Sequence, residues 1–252
     1  MRALGWQESA LYVIAAALLG WLAGGLANWA ADRLPHGRAG IDPPPASTST
    51  CRAGTWYLVP SHTLTLPWYF FRAGVCPHCG TRRPLRAPVL ELATVAAFLA
   101  GWLRLRESPV ALAAFFLYAW FLLTVAAIDL EHRLVLNVML APMAVVALGL
   151  SLLPGKPDSL NALVGGAAGL ALFLVIAALG RGAMGAGDVK LAGVIGLMMG
   201  YPAVFQALFT GVLFGGAAAL ALLLSRRAGR KGTMAYAPYL ALGALVTLWR
   251  IL

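Results

Sequence analysis

With only nine carboxylates in 252 residues, the position of each one is informative. Glu8, Asp32, Asp42, Glu107 and Asp158 fall in polar flanks and loops, where solvation accounts for them. Glu91, Asp129, Glu131 and Asp188 lie within or at the ends of strongly apolar runs, where an ionisable group is costly to bury and marks function by default. Asp129 follows Ala127-Ile128 and precedes Leu130-Glu131-His132-Arg133, and Asp188 stands in Met184-Gly185-Ala186-Gly187-Asp188-Val189-Lys190-Leu191. Two carboxylates brought close in a partly desolvated site do not readily both ionise, so one keeps a proton while the other stays charged. Such a pair can hydrolyse an amide: the anion takes a proton from water while the neutral acid hydrogen-bonds the scissile carbonyl. Gly185 and Gly187, lacking Cβ atoms, would let an extended peptide backbone approach. The same residues have other readings, as interfacial ion pairs (Asp188 with Lys190, Asp129 with Arg133) or as a proton relay in transport.

A second chemical signal is Cys76-Pro77-His78-Cys79-Gly80, two thiols at the spacing of half a zinc ribbon. The remaining cysteine, Cys51, stands alone, because Thr48 and Gly54 occupy the positions of its C-x-x-C partner. Cys51, Cys76 and Cys79 with His36, His62 or His78 would make a Cys₃His site; the alternative is a decayed ribbon with reduced, metal-free thiols. Three clustered cysteines do not make a disulfide framework and fit a reducing, cytosol-facing compartment.

Both signals must be positioned by an unusually apolar chain, 61% hydrophobic and 11% charged, where soluble domains have about 25% charged residues. That composition excludes an ordinary soluble enzyme. Apolar runs occupy residues 10–31, 88–103, 109–128, 134–153, 162–179, 191–200, 202–225 and 234–252, and a helical crossing needs about 20 residues. The expectation is an all-α polytopic membrane protein of about eight transmembrane helices, with Gly200-Tyr201-Pro202 separating two of them. Three parts follow: an uncleaved first transmembrane helix (1–31), a cytosolic, loop-rich, cysteine-bearing and zinc-ribbon-like insert (32–86), and a transmembrane core (87–252). The insert holds eight of the 15 prolines, which forbids a long helix through it. With the N-terminus outside, all but five of the 19 Lys and Arg (Arg2, Arg104, Arg106, Lys156 and Arg250) fall in inner loops, and this bias puts those loops in the cytoplasm. The net charge of +10 is therefore read as topology rather than as a nucleic-acid surface. Two crossings between Asp129 and Asp188 return the chain to the same face, so the two aspartates can meet at the cytosolic boundary.

Glycine pairs four residues apart (Gly20 and Gly24, Gly165 and Gly169, Gly196 and Gly200, Gly211 and Gly215) are expected to pack helices within one bundle.

With these residues in view, the sequence resembles the type IV prepilin peptidases, among the Gly-x-Gly-Asp membrane aspartyl proteases, over nearly its whole length. Met184 to Leu191 looks like the family's second aspartate motif and Ile128 to Asn137 like its first. Further matches are Asn28 with Arg33-Leu34-Pro35, Pro88 to Leu92 around Glu91, and Ala237 to Ala241. The resemblance implies catalysis by Asp129 and Asp188, with Gly185, Gly187, Lys190 and Glu131 as motif support. It implies cleavage of the short basic leader of prepilins and pseudopilins after a glycine, on the cytosolic face of the bacterial inner membrane. No cofactor is needed for that step. Many relatives also methylate the new N-terminus with S-adenosylmethionine, through the cysteine-bearing insert. This chain departs from the family pattern in its lone Cys51, in Leu136-Asn137 where Pro-Asp is usual, and in Glu131. His132 is read as an interfacial or hydrogen-bonding residue and Glu91 as a buried, hydrogen-bonded helix residue. Lys190 is read as lowering the pKa of Asp188 or meeting phospholipid headgroups. The rivals are a peptidase acting on another leader-bearing substrate, a proton-coupled transporter with its acids near the midplane, and a non-catalytic assembly factor.

Overall fold

The computed structural model describes residues 6–35, 66, 71, 84–153, 157–180, 184–225 and 235–252. Among them are eight helices and no strand: α1 (Trp6–Arg33), α2 (Arg86–Leu105), α3 (Pro109–His132), α4 (Asn137–Leu150), α5 (Ser159–Leu179), α6 (Ala186–Met199), α7 (Ala203–Leu224) and α8 (Ala237–Ile251). Each grows from one of the eight apolar runs. Five, α1, α2, α3, α5 and α7, contain a stretch long and apolar enough to cross a membrane; α4 and α8 are shorter apolar helices, and α6 has 14 residues. The described fold is all-helical, that of a polytopic membrane protein.

Local chemistry sets several boundaries. The Asp158 side chain caps α5 by accepting from Asn161 N–H at 2.7 Å. Ser108 and Pro109 open α3, the serine hydroxyl accepting from Ala111 N–H at 3.4 Å. Gly200, at φ +71°, ends α6 in a conformation that side chains with a Cβ rarely adopt. This turn separates α6 from α7 as the sequence suggests, and Tyr201 N–H donates to Asn161 Oδ1 at 2.7 Å to hold it.

Two compact units divide the chain, residues 1–112 and 113–252. In the first, α1 packs on α2. A Cβ on Gly20 would lie 2.8 Å from Val95 Cα, and one on Gly24 would lie 2.6 Å from Glu91 Cα. Polar groups fasten the pair: Trp21 Nε1–H donates to Glu91 Oε2 at 2.8 Å, Asn28 Nδ2–H donates to Ala87 C=O at 2.9 Å, and Arg86 pairs with Asp32. In the second unit α5 packs on α6 and α7 on α8. A Cβ on Gly165 would stand 2.6 Å from Gly196 C=O, and one on Gly169 would stand 2.5 Å from Ala192 C=O. Gly211 meets Leu240 in the same way at 2.9 Å. The glycine pairs do pack helices, each within its own unit.

Gly196 faces the backbone of Gly165 so closely that no side chain fits, whereas a Cβ on Gly216 would meet nothing within 4 Å among the described residues. Gly196→Ala is therefore expected to destabilise the protein by about 1–3 kcal/mol through overpacking. Gly216→Ala should be neutral or slightly stabilising, since alanine is the better helix former. Thermal unfolding in detergent measures both, and equal midpoints for the two variants would contradict this packing.

Candidate active site

Asp129 occupies the last turn of α3 and is 4% exposed. Burying a carboxylate requires a hydrogen-bond donor, and Ala237 N–H supplies one to Asp129 Oδ2 at 3.1 Å from the first residue of α8. The helix closes on itself through Arg133 N–H to Asp129 C=O at 2.9 Å. Arg133 itself sits at φ +53°, in the left-handed region where a helix end usually places glycine. The chain reverses there and runs extended into Leu136, at φ −84° and ψ 125°, before α4 begins.

Asp188 lies in the first turn of α6, three residues after the N-cap Gly185, and ahead of the apolar stretch that starts at Leu191. It stands at the end of the helix where the dipole favours negative charge, and the Gly185 backbone acts to lower its pKa. Burial nevertheless pushes its pKa up to about 6, and the charge of Asp129 pushes in the same direction. The two aspartates are thus electrostatic neighbours across the second unit.

Two contacts bring their segments together. A Cβ on Gly187 would stand 2.8 Å from Val135 Cβ, in the extended stretch after α3. Lys190 Nζ donates to Asn137 Oδ1 at 3.1 Å, joining α6 to the start of α4. The two glycines of the motif differ accordingly. Gly187 gives its bare face to Val135, while among the described residues a Cβ on Gly185 would meet only Asp188 Oδ2 at 3.5 Å and Gly187 N at 4.0 Å. Gly185 is therefore the one with room for an approaching peptide.

Glu131 is exposed, with His132 Nε2 3.8 Å from its carboxylate. Glu91 belongs to the first unit, fully buried, and accepts from Trp21 Nε1–H and from Leu66 N–H at 2.9 Å. Cys51, Cys76 and Cys79, with His36, His62 and His78, lie outside the described residues. Among the described residues no group of three or more His, Cys, Asp or Glu could hold a metal ion.

Sequence reasoning missed Tyr236, and it placed Val135 and Ala237 in matched motifs without seeing the Val135 contact with Gly187 or the donor role of the Ala237 amide. Tyr236 precedes α8, half-buried, with its ring centroid 6.5 Å from that of Phe173 and its edge against Gly215. Burial and the charge of Asp188 raise its pKa. A backbone N–H carries no mark in a sequence, and Tyr236 reads there as one more apolar residue at a span end.

The profile of the Type IV leader peptidase family matches residues 115–220, and that of the Bacterial Peptidase A24 N-terminal domain matches residues 18–105. A protein of Bacillus subtilis named prepilin leader peptidase/N-methyltransferase is 29% identical, over 80% of this chain and 81% of its own. One of the same name from Pseudomonas aeruginosa is 27% identical over 94% and 90%. Another from Burkholderia pseudomallei is 34% identical over 72% and 60%. No solved structure matches the chain at a significant level.

The difference between the two glycines is testable. Gly187→Ala forces Val135 and the first turn of α6 apart, and is expected to lower activity at least tenfold with a loss of about 1–3 kcal/mol in stability. Gly185→Ala costs only the weaker N-cap, about 1 kcal/mol or less, and should leave the fold intact. Thermal unfolding of both variants checks this; a larger loss for Gly185→Ala would refute the Gly187–Val135 contact as the tighter constraint.

Proposed function

The chain belongs to the type IV leader peptidase family, and from that membership we infer that it is a prepilin peptidase, a membrane aspartyl endopeptidase whose dyad is Asp129 and Asp188. The observation that most supports this role for the two residues is their electrostatic coupling within a single unit, at the end of one helix and the start of another. A proton-coupled transporter would instead carry its acids near the midplane between broken helices.

We assign the single proton of the pair to Asp188, whose pKa is pushed up to about 6 by burial and by the charge of Asp129. Asp129, one oxygen of which already accepts from Ala237 N–H, serves as the anion. Water adds to the scissile carbonyl carbon as Asp129 takes a proton from it and Asp188 gives its proton to the carbonyl oxygen. The resulting gem-diol collapses when Asp129 returns its proton to the leaving nitrogen and Asp188 recovers one from a diol hydroxyl. The C–N bond breaks and the dyad is restored with one proton.

The substrate class is prepilins and pseudopilins, whose short basic leader is cut after a glycine. The reading places eight crossings in the bacterial inner membrane, with the dyad on the cytosolic face. Support for that side comes from the basic loops, which face the cytoplasm by the usual charge rule. The curated relatives are also named for N-methyltransferase activity. We assign any such activity here to the insert 32–86, using S-adenosylmethionine, with Cys51, Cys76 and Cys79 as ligands of a structural zinc.

Asp129→Asn and Asp188→Asn should each reduce leader cleavage by at least about a hundredfold while accumulating normally in the membrane, and Glu131→Gln should retain substantial activity. Processing of a prepilin by either Asn variant at a rate near wild type would rule out the dyad. The active form carries one proton on the pair, so kcat/KM is expected to fall as pH rises through the Asp188 pKa of about 6. An alkaline limb centred near the ordinary carboxylate value would contradict that assignment.

Cys76→Ser with Cys79→Ser should leave cleavage largely intact and remove any methyl group from the product, as read by intact mass. A methylated product from this double variant would disprove the link between the insert and methylation.

A further inference from the structure

The start of α8 is hydrogen-bonded to Asp129 and lies in the electrostatic field of Asp188. The Ala237 amide donates to Asp129 at 3.1 Å, and the residue before it, Tyr236, feels the charge of Asp188. Its ring is held by two neighbours. Phe173 of α5 stands 6.5 Å away between centroids, at 45°. On the α7 side, Tyr236 Cε2 would lie 2.9 Å from any Cβ on Gly215, so the absence of a side chain there makes room for the ring.

We infer that Tyr236 is a third polar group of the active site, its phenol hydroxyl donating a hydrogen bond to a main-chain carbonyl of the bound substrate beside the scissile bond. This rests on the peptidase reading above. Three observations support it. The ring is fixed by packing on Phe173 and Gly215, so the hydroxyl is preorganised. A tyrosine phenol ordinarily titrates at about 10, so it stays protonated, and therefore a donor, across the working range of pH. Among the described residues the hydroxyl donates to no protein group. An extended peptide leaves its carbonyls in need of donors once water is displaced, and the dyad itself serves only the scissile one.

Tyr236→Phe keeps the ring and its fit against Gly215 and removes only the donor. The expected result is a five- to twentyfold fall in kcat/KM for leader cleavage, an unchanged thermal midpoint, and an alkaline limb at the wild-type pH. Gly215→Ala should displace the ring and lower kcat/KM as well; in a Tyr236→Ala background the Gly215→Ala change should have no further effect. Wild-type cleavage and the inactive Asp129→Asn variant are run alongside. If Tyr236→Phe cleaves within twofold of wild type, the hydroxyl contacts no substrate and the inference is overturned while the peptidase reading stands. Failure of the wild-type protein itself to cleave a prepilin would overturn both. A lowered thermal midpoint in Tyr236→Phe would show a structural role for the hydroxyl and would also overturn the inference.

Discussion

Close approach of backbone to backbone is the constraint on which the second unit depends. Inside a bilayer, lipid tails are as apolar as leucine, so helices are not driven together by the hydrophobic effect; they hold through tight packing and interhelical contacts. The crossing of α5 and α6 meets this need with Gly165, Gly169 and Gly196, whose missing Cβ atoms admit the opposing carbonyls. Because α6 begins with the turn that bears Asp188, the position of that carboxylate follows from the crossing. Gly187 then repeats the device on a smaller scale, admitting Val135 and with it the segment that descends from Asp129.

Electrostatics builds on that frame. A carboxylate buried in an apolar helix end is tolerable only with donors at hand. Asp129 has the Ala237 amide and Asp188 the Gly185 backbone. Each donor comes from a helix terminus, where backbone N–H groups lack intrahelical partners. The site thus uses groups that the helices leave unsatisfied in any case, while burial, with the charge of Asp129, raises the Asp188 pKa to about 6. The peptidase chemistry inferred for the chain needs a shared proton, and it requires neither a metal nor a side-chain base such as His132.

The first unit solves a related problem by different means. Glu91 is fully buried, yet Trp21 and Leu66 both donate to it, and Gly24 lets α1 approach its backbone. This network fits the expectation of a hydrogen-bonded structural carboxylate. It also shows why Glu91 and the aspartates, similar in a list of membrane-embedded acids, differ in kind: Glu91 has side-chain and backbone donors within its own unit, whereas Asp188 faces another carboxylate.

The sequence by itself determined the helical class, the eight apolar segments, the break at Gly200 and the two aspartates proposed here as the dyad. Those features are written along the chain, in hydropathy, in the scarcity of acids and in the conformational demand of a turn. Which glycine serves packing and which faces open space was decided only by the tertiary structure, as was the assignment of the Ala237 amide to Asp129. Local pattern cannot supply these, because Gly185 and Gly187 are identical as residues and differ only in what stands opposite them. Tyr236 escaped notice for the same reason: its chemistry arises from Asp188, Phe173 and Gly215, three neighbours on three other helices that only folding brings to it.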